Sequence, residues 1–220
     1  MFPLSDVIPS RTKPIVTITL IALNTLVFLY QFWLDDAMLQ RLVFDLGVIP
    51  AFLSYRDIVT SMFLHGDFLH FIGNMVFLWI FGDNIEDRVG HGGFILFYFG
   101  TGATAALAQV FANPASIVPM IGASGAIAGV MGAYFVLYPQ SRILTAVFLI
   151  VFLDIIEIPA IFFLGLWFLL QVIHGSLSAG VDGGGVAFWA HAGGFASGVA
   201  IGLYLRARDR ATQAYWKDVG

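Results

Sequence analysis

Two side chains in this sequence are hard to dismiss as packing: Ser124 and His191, each set near one end of a long apolar stretch. A serine hydroxyl is a poor nucleophile until a base takes its proton, and a neutral imidazole is the commonest base that does so. Ser124 lies about six residues into Val118–Tyr138, roughly 9 Å deep at a helical rise, and His191 lies five residues into Val186–Leu205, roughly 7.5 Å deep. Both stretches run inward from the same side in the orientation derived below, so the depths match. Close approach of the two backbones needs small residues, and both stretches supply them. Gly122, Gly125, Gly129 and Gly132 recur in one, and His191, Gly194, Gly198 and Gly202 in the other. An ideal helix run back from Gly125 leaves Ser124 roughly 120° off the glycine face. Pro119 and Gly122 resolve this if the helix begins near Ser124, which then sits among free amides at a positive dipole end, as a developing oxyanion requires.

A third, acidic member should lie near His191, and the sequence offers only the remote Asp182, so a Ser–His dyad is expected. His70 and Asn74 are four apart on one face of the second span, below Asp67. They are candidate oxyanion donors, a role compatible with an interhelical polar clasp. His65 reads as structural. Asn24, Gln31, Gln109 and Gln171 read as polar packing groups, and Gly82 with Glu86 as a loop-fixing pair, glycine for a turn and carboxylate for nearby amides.

The elements that position these residues must be membrane spans. Of 220 residues 59% are hydrophobic and 11% charged, with a mean hydropathy of +0.89, which excludes a soluble enzyme. A net charge of −4 with no basic run argues against nucleic acid as a partner. Without cysteine there is no thiolate chemistry, Fe–S cluster or Cys-rich zinc site. Runs near the roughly 20 residues that cross a hydrocarbon core are Pro14–Trp33, Ile58–Gly82, Gly93–Phe111, Val118–Tyr138 and Val186–Leu205. A sixth span is expected at Ile158–Ile173, with Ile143–Leu153 too short to cross and read as an interfacial or re-entrant piece. Eight Lys and Arg fall on the side of the termini and two, Arg41 and Arg56, on the other, although the latter holds the long loop Leu34–Asp57. That bias places both termini in the cytoplasm. The expected organisation is a cytoplasmic segment 1–13, a six-span membrane domain 14–206 and a cytoplasmic tail 207–220, with the first span an uncleaved anchor.

Taken together these residues resemble the rhomboid family of intramembrane serine proteases, from Pro14 to Arg206. The carriers are HGDFLHFIGNM at His65–Met75, G-x-x-x-E at Gly82–Glu86, GASG at Gly122–Gly125 and A-H-x-x-G-x-x-x-G at Ala190–Gly198. The resemblance implies an all-α bundle of six transmembrane helices with a long first outer loop. It implies peptide-bond hydrolysis with Ser124 as nucleophile and His191 as general base, while His70, Asn74 and the Ser124 amide hold the oxyanion. Substrates would be single-span or other membrane proteins cut near the outer face, with the lipid bilayer as partner and no metal or cofactor. It further implies a lateral entrance at the fifth span, rich in Phe162, Phe163, Trp167 and Phe168, capped by the loop Gly175–Gly185, and a multi-pass location in a prokaryotic cell membrane. One departure is Tyr55-Arg56 followed by Asp57 in the first outer loop, where many members carry Trp-Arg. Rival readings are a metal enzyme built on His65, His70 and His191, which lacks a completing carboxylate, a transporter, which lacks a charged pathway, and an inactive relative that binds or escorts membrane helices.

Overall fold

A computed structural model of the chain describes residues 2–149, 152–177 and 187–219. Most of them are helical. Helices α1 (Ile15–Phe32), α4 (Phe68–Val89), α5 (His91–Ala112) and α7 (Ala160–Leu177) are each long and apolar enough to cross a membrane. The other two expected spans fall on α6 (Ser124–Leu137) and α8 (Phe188–Val219). With 14 residues α6 is the short one, and ten of them are buried, so it forms the centre around which the others pack.

Glycine explains how tightly α8 lies on α6. A Cβ on Gly198 would stand 1.9 Å from the carbonyl oxygen of Gly129, and one on Gly194 would stand 2.1 Å from that of Gly125. The backbones touch where no side chain exists, as small-residue packing in a membrane requires.

The long first loop is folded. It contains α2 (Asp36–Leu46), capped by the Asp35 carboxylate on the amide of Met38, and α3 (Tyr55–Thr60). Arg56 reaches the carbonyl of Asp45 and pairs with Asp57 at 2.8 Å, so arginine ties α3 to the end of α2, while Tyr55 stays exposed. The second span differs from the expected Ile58–Gly82. Its first part is α3 followed by a short 3-10 turn at Ser61–Phe63, and the crossing helix begins only at Phe68, capped by Asp67 on the amide of His70 at 2.8 Å. It then runs on past Gly82 because the acidic groups beyond have partners in the N-terminal segment. Glu86 is buried and accepts from the amides of Val16 and Thr17 at 2.9 and 2.8 Å, satisfying the open N-terminus of α1. Gly82 is therefore not a turn residue. It is the point where α4 meets α1, since a Cβ there would stand 3.0 Å from the Thr17 side chain.

Over its described residues the stretch Ile143–Leu153 is extended strand, not the interfacial or re-entrant piece expected. Strand β2 (Arg142–Leu149) pairs antiparallel with β3 (Phe152–Pro159), and on its other edge with β1 (Phe2–Asp6) from the N-terminal segment, in the order β1-β2-β3. Ile143, Thr145, Val147, Ile155, Ile156 and Ile158 favour extended backbone, and Arg142 meets Glu157 across the hairpin at 3.0 Å. Pro159 ends β3 and the chain turns directly into α7, two residues later than expected.

The sheet is latched to the bundle through Tyr134 of α6, whose hydroxyl donates to Asp6 and bonds Ser141 at 2.8 Å. Burial pushes the Asp6 carboxyl above its ordinary range, helped by the nearby Asp83 and opposed by the Tyr134 hydrogen bond. A carboxyl raised on folding contributes stability below its unfolded value and loses it as pH rises through the folded one. Asp6→Asn keeps an acceptor for Tyr134 without the charge. Its melting temperature should exceed the parent's at neutral pH, and the gap should close as pH falls below the ordinary value of 3.8. Melting curves at both pH values check this, and a gap independent of pH would contradict it.

Candidate active site

The segment before α6 is held extended by the first loop. Val48 and Met120 exchange backbone hydrogen bonds of 3.0 and 2.8 Å, and the amide of Gly122 donates to Ser61 at 2.8 Å. At Gly122 the backbone takes φ +125, a region open to glycine, and then turns into α6 with Ser124 as its first residue. The helix thus begins where Pro119 and Gly122 imply, and no side chain caps its N-terminus. The amides of Ser124 and the next two residues have no partner within the helix and point toward the start of α6.

His191 enters from α8, one turn past its start. Its Nε2 lies 2.7 Å from the Ser124 hydroxyl, a full hydrogen bond between residues 67 apart in sequence. His191 is 8% exposed, and the backbone behind it is fixed by Gln109, whose side-chain oxygen accepts from the amide of Ala190 at 3.3 Å. On the other side of the ring Nδ1 faces Oε1 of Gln171 on α7 at 2.8 Å, and the Trp167 ring lies 5.7 Å away, tilted by 36°. Gln171 was expected as a packing residue, and its contact with His191 crosses between α7 and α8, which no spacing in the sequence encodes. Asp182 falls outside the described residues, as does most of the expected cap Gly175–Gly185.

His70 and Asn74 come from the first turns of α4 on the facing side. The amide of Gly66 donates to Nδ1 of His70 at 3.5 Å, which leaves the ring proton on Nε2. A Cβ on Gly122 would stand 2.7 Å from that Nε2 and 3.6 Å from the Ser124 hydroxyl, so glycine keeps open the space between them. Asn74 is buried, and its Nδ2 finds no acceptor among the described residues. An amide donor in that state costs free energy unless something docks against it. Ser124, His191, His70 and Asn74 all line one cavity of about 1090 Å³, with Trp167 on its wall.

His65 lies beside this group as a buried structural ring, edge-on to His70 at 5.2 Å and to Phe71 at 5.5 Å. Gln31 of α1 clasps its backbone, donating to the carbonyl and accepting from the amide, both at 3.0 Å. Among the described residues the histidines join no group of three or more His, Asp or Glu placed to hold a metal.

The arrangement can therefore take a proton from a hydroxyl and offer several donors to an oxygen beside it. Residues 53–208 match the family model of the Rhomboid domain. The chain is 31% identical over 169 residues to Rhomboid protein 1, mitochondrial, of Saccharomyces cerevisiae, covering 72% of this chain and 45% of that protein. It is 35% identical over 98 residues to Rhomboid-like protein 11, chloroplastic, of Arabidopsis thaliana, covering 44% and 35% of the two chains. Over 76 residues it is 37% identical to Rhomboid protease GluP of Bacillus subtilis, covering 34% and 14%. The matches thus span less than half the length of each of these relatives. Their compartments, mitochondrial and chloroplast by name and bacterial by source, do not single out the prokaryotic membrane expected from the sequence.

Proposed function

The chain belongs to the rhomboid family, and on that premise we propose that it is a serine endopeptidase that cuts membrane-spanning helices. Ser124 is the nucleophile and His191 the general base. The observation that carries this reading is the 2.7 Å hydrogen bond between their side chains inside a cavity of the helix bundle.

In the reaction Nε2 of His191 takes the hydroxyl proton as Ser124 Oγ attacks the peptide carbonyl carbon. The negative charge that develops on the carbonyl oxygen is held by Nε2 of His70, Nδ2 of Asn74 and the free amide of Ser124. The C–N bond then breaks, the proton passes from His191 to the leaving nitrogen, and the acyl group stays on Ser124 as an ester. Water, deprotonated by the same imidazole, attacks that ester, the C–O bond to Ser124 breaks, and the proton returns from His191 to Ser124 Oγ as the second product leaves. A peptide bond in an intact helix is hydrogen-bonded and shielded, so the substrate must unwind locally in the cavity. Helices with weak propensity near one end are the expected substrates.

The topology that accompanies this reading is six spans with both termini in the cytoplasm. It rests on the distribution of Lys and Arg and puts Ser124 and His191 toward the outer face. The rival reading, an inactive relative that escorts membrane helices, would share the fold and the cavity. It gives no reason for a hydrogen-bonded serine and imidazole or for an unpartnered buried amide lining the same cavity.

Labelling by a fluorophosphonate probe tests the proposal on the full chain in detergent and in lipid. Labelling of the parent, absent from Ser124→Ala, supports it. A folded parent that takes no label in either medium would overturn it and favour the escort.

One prediction concerns the oxyanion alone. Asn74→Ala removes a single donor and should lower the cleavage rate by about 10²–10³-fold. The KM for the substrate should barely change, because the donor acts on charge that appears only in the transition state. Steady-state kinetics on a transmembrane reporter checks this, and a rise in KM at constant kcat would reassign Asn74 to substrate binding.

A further inference from the structure

Gln171 faces the imidazole from the side opposite Ser124. Its Oε1 lies 2.8 Å from Nδ1 of His191 while Nε2 of the same ring lies 2.7 Å from the Ser124 hydroxyl. An amide oxygen only accepts, so this contact puts the ring proton on Nδ1 and leaves the Nε2 lone pair toward the hydroxyl. The opposite tautomer would turn an N–H toward the serine, and the serine proton would have no taker. Trp167, four residues earlier and on the same face of α7, lays its ring beside the imidazole. No carboxylate among the described residues shares in the contact. Besides Ser124 from α6 and this pair from α7, the titratable group acting on the ring is His70 from α4, while α5 presents the neutral Gln109.

We propose that Gln171 is a positioning residue that fixes the tautomer and ring orientation of His191, taking the place a carboxylate holds in a Ser–His–Asp triad. The proposal rests on the assignment of Ser124 and His191 above. It makes the dyad depend on where α7 stands. That helix buries only Ala160, Phe163, Leu164 and Gly175 among its 18 residues, and a displacement outward withdraws the acceptor and the Trp167 ring from His191 together.

The test compares the parent, Gln171→Leu and Gln171→Glu as full chains in detergent. Fluorophosphonate labelling rates are followed across pH, and the imidazole nitrogens of His191 are read by NMR, assigned against His191→Asn. Gln171→Leu should label about 10–100-fold more slowly than the parent at a similar melting temperature, with its His191 divided between tautomers. Gln171→Glu should stay active and shift the acid limb of the rate profile up by about one pH unit or more, since a carboxylate at that distance favours the imidazolium. A merely structural role would leave that limb in place. Parental labelling in Gln171→Leu, or an unmoved limb in Gln171→Glu, overturns the proposal. Should Gln171→Leu fail to fold, the limb and the parent's own spectrum still decide. Nδ1 protonated in the parent supports the proposal and Nε2 protonated refutes it, even in a preparation that takes no label, so it can fail separately from the catalytic reading.

Discussion

Ser124→Ala and His191→Ala should each slow cleavage of a transmembrane reporter by about 10⁶-fold, and the double variant should be no slower than the worse single one. On the proposed mechanism each residue is useless to the reaction without the other. The hydroxyl at its own pKa is not a nucleophile, and the proton it must lose lies in its 2.7 Å hydrogen bond with the imidazole. What survives in either variant is what the oxyanion donors and the bound geometry give to water as nucleophile, and this is the same in the double variant. Long incubations with a quantified cleavage product resolve such rates. Losses that multiply in the double variant would mean independent roles. A Ser124→Ala variant that keeps most of its rate would place the nucleophile elsewhere.

The residues of this pair were legible in the sequence because each part of the argument was local. Pro119 and Gly122 disfavour helix, so α6 had to begin close to Ser124, and it begins there. The glycine rows on the two stretches announce a close contact between helices, and the contact is at Gly125–Gly194 and Gly129–Gly198. The partner of Nδ1 was not legible. It comes from a helix whose rotation about its own axis is set by the sheet and by aromatic packing against Phe195, at 4.6 Å from Phe168 and 6.1 Å from Trp167. A neutral amide gives the same hydrogen bond as an acid without a charge to bury, so no carboxylate marks the position in the sequence. The sheet was missed for a different reason. Apolar content alone suggests membrane contact, whereas the abundance of β-branched residues between Arg142 and Pro159 favours strand. The expected Glu86 carboxylate does meet backbone amides, but Gly82 lies inside a helix that continues through Asp83, Glu86 and Asp87. The N-terminal segment makes it possible, with Ser10 on Asp83, Thr12 on Asp87 and the start of α1 on Glu86.

The second large effect concerns the scaffold. Gly198→Ala should abolish fluorophosphonate labelling and lower the melting temperature sharply, although the added group is one methyl and lies away from the dyad. The methyl would stand 1.9 Å from the carbonyl oxygen of Gly129 and 2.7 and 2.9 Å from that residue's carbonyl carbon and Cα. Those are backbone atoms of the most buried helix, so no side chain can turn aside and α8 must move off α6. His191 is carried on α8 seven residues before Gly198, about two turns away, and moves with it. A hydrogen bond of 2.7 Å does not survive a displacement on the order of 1 Å, and misplacement on that scale costs about 10²-fold even before folding is affected. Gly100→Ala is the control. It adds the same methyl to α5, where nothing lies within 4 Å of the new Cβ, and should leave labelling unchanged with stability equal or slightly higher, alanine being the better helix former. Thermal melting and labelling of the two variants side by side separate the cost of a methyl from the cost of parting two backbones. If Gly198→Ala labelled like the parent, α6 and α8 would not be in direct backbone contact, and the depth-matched pairing of Ser124 with His191 would need another support.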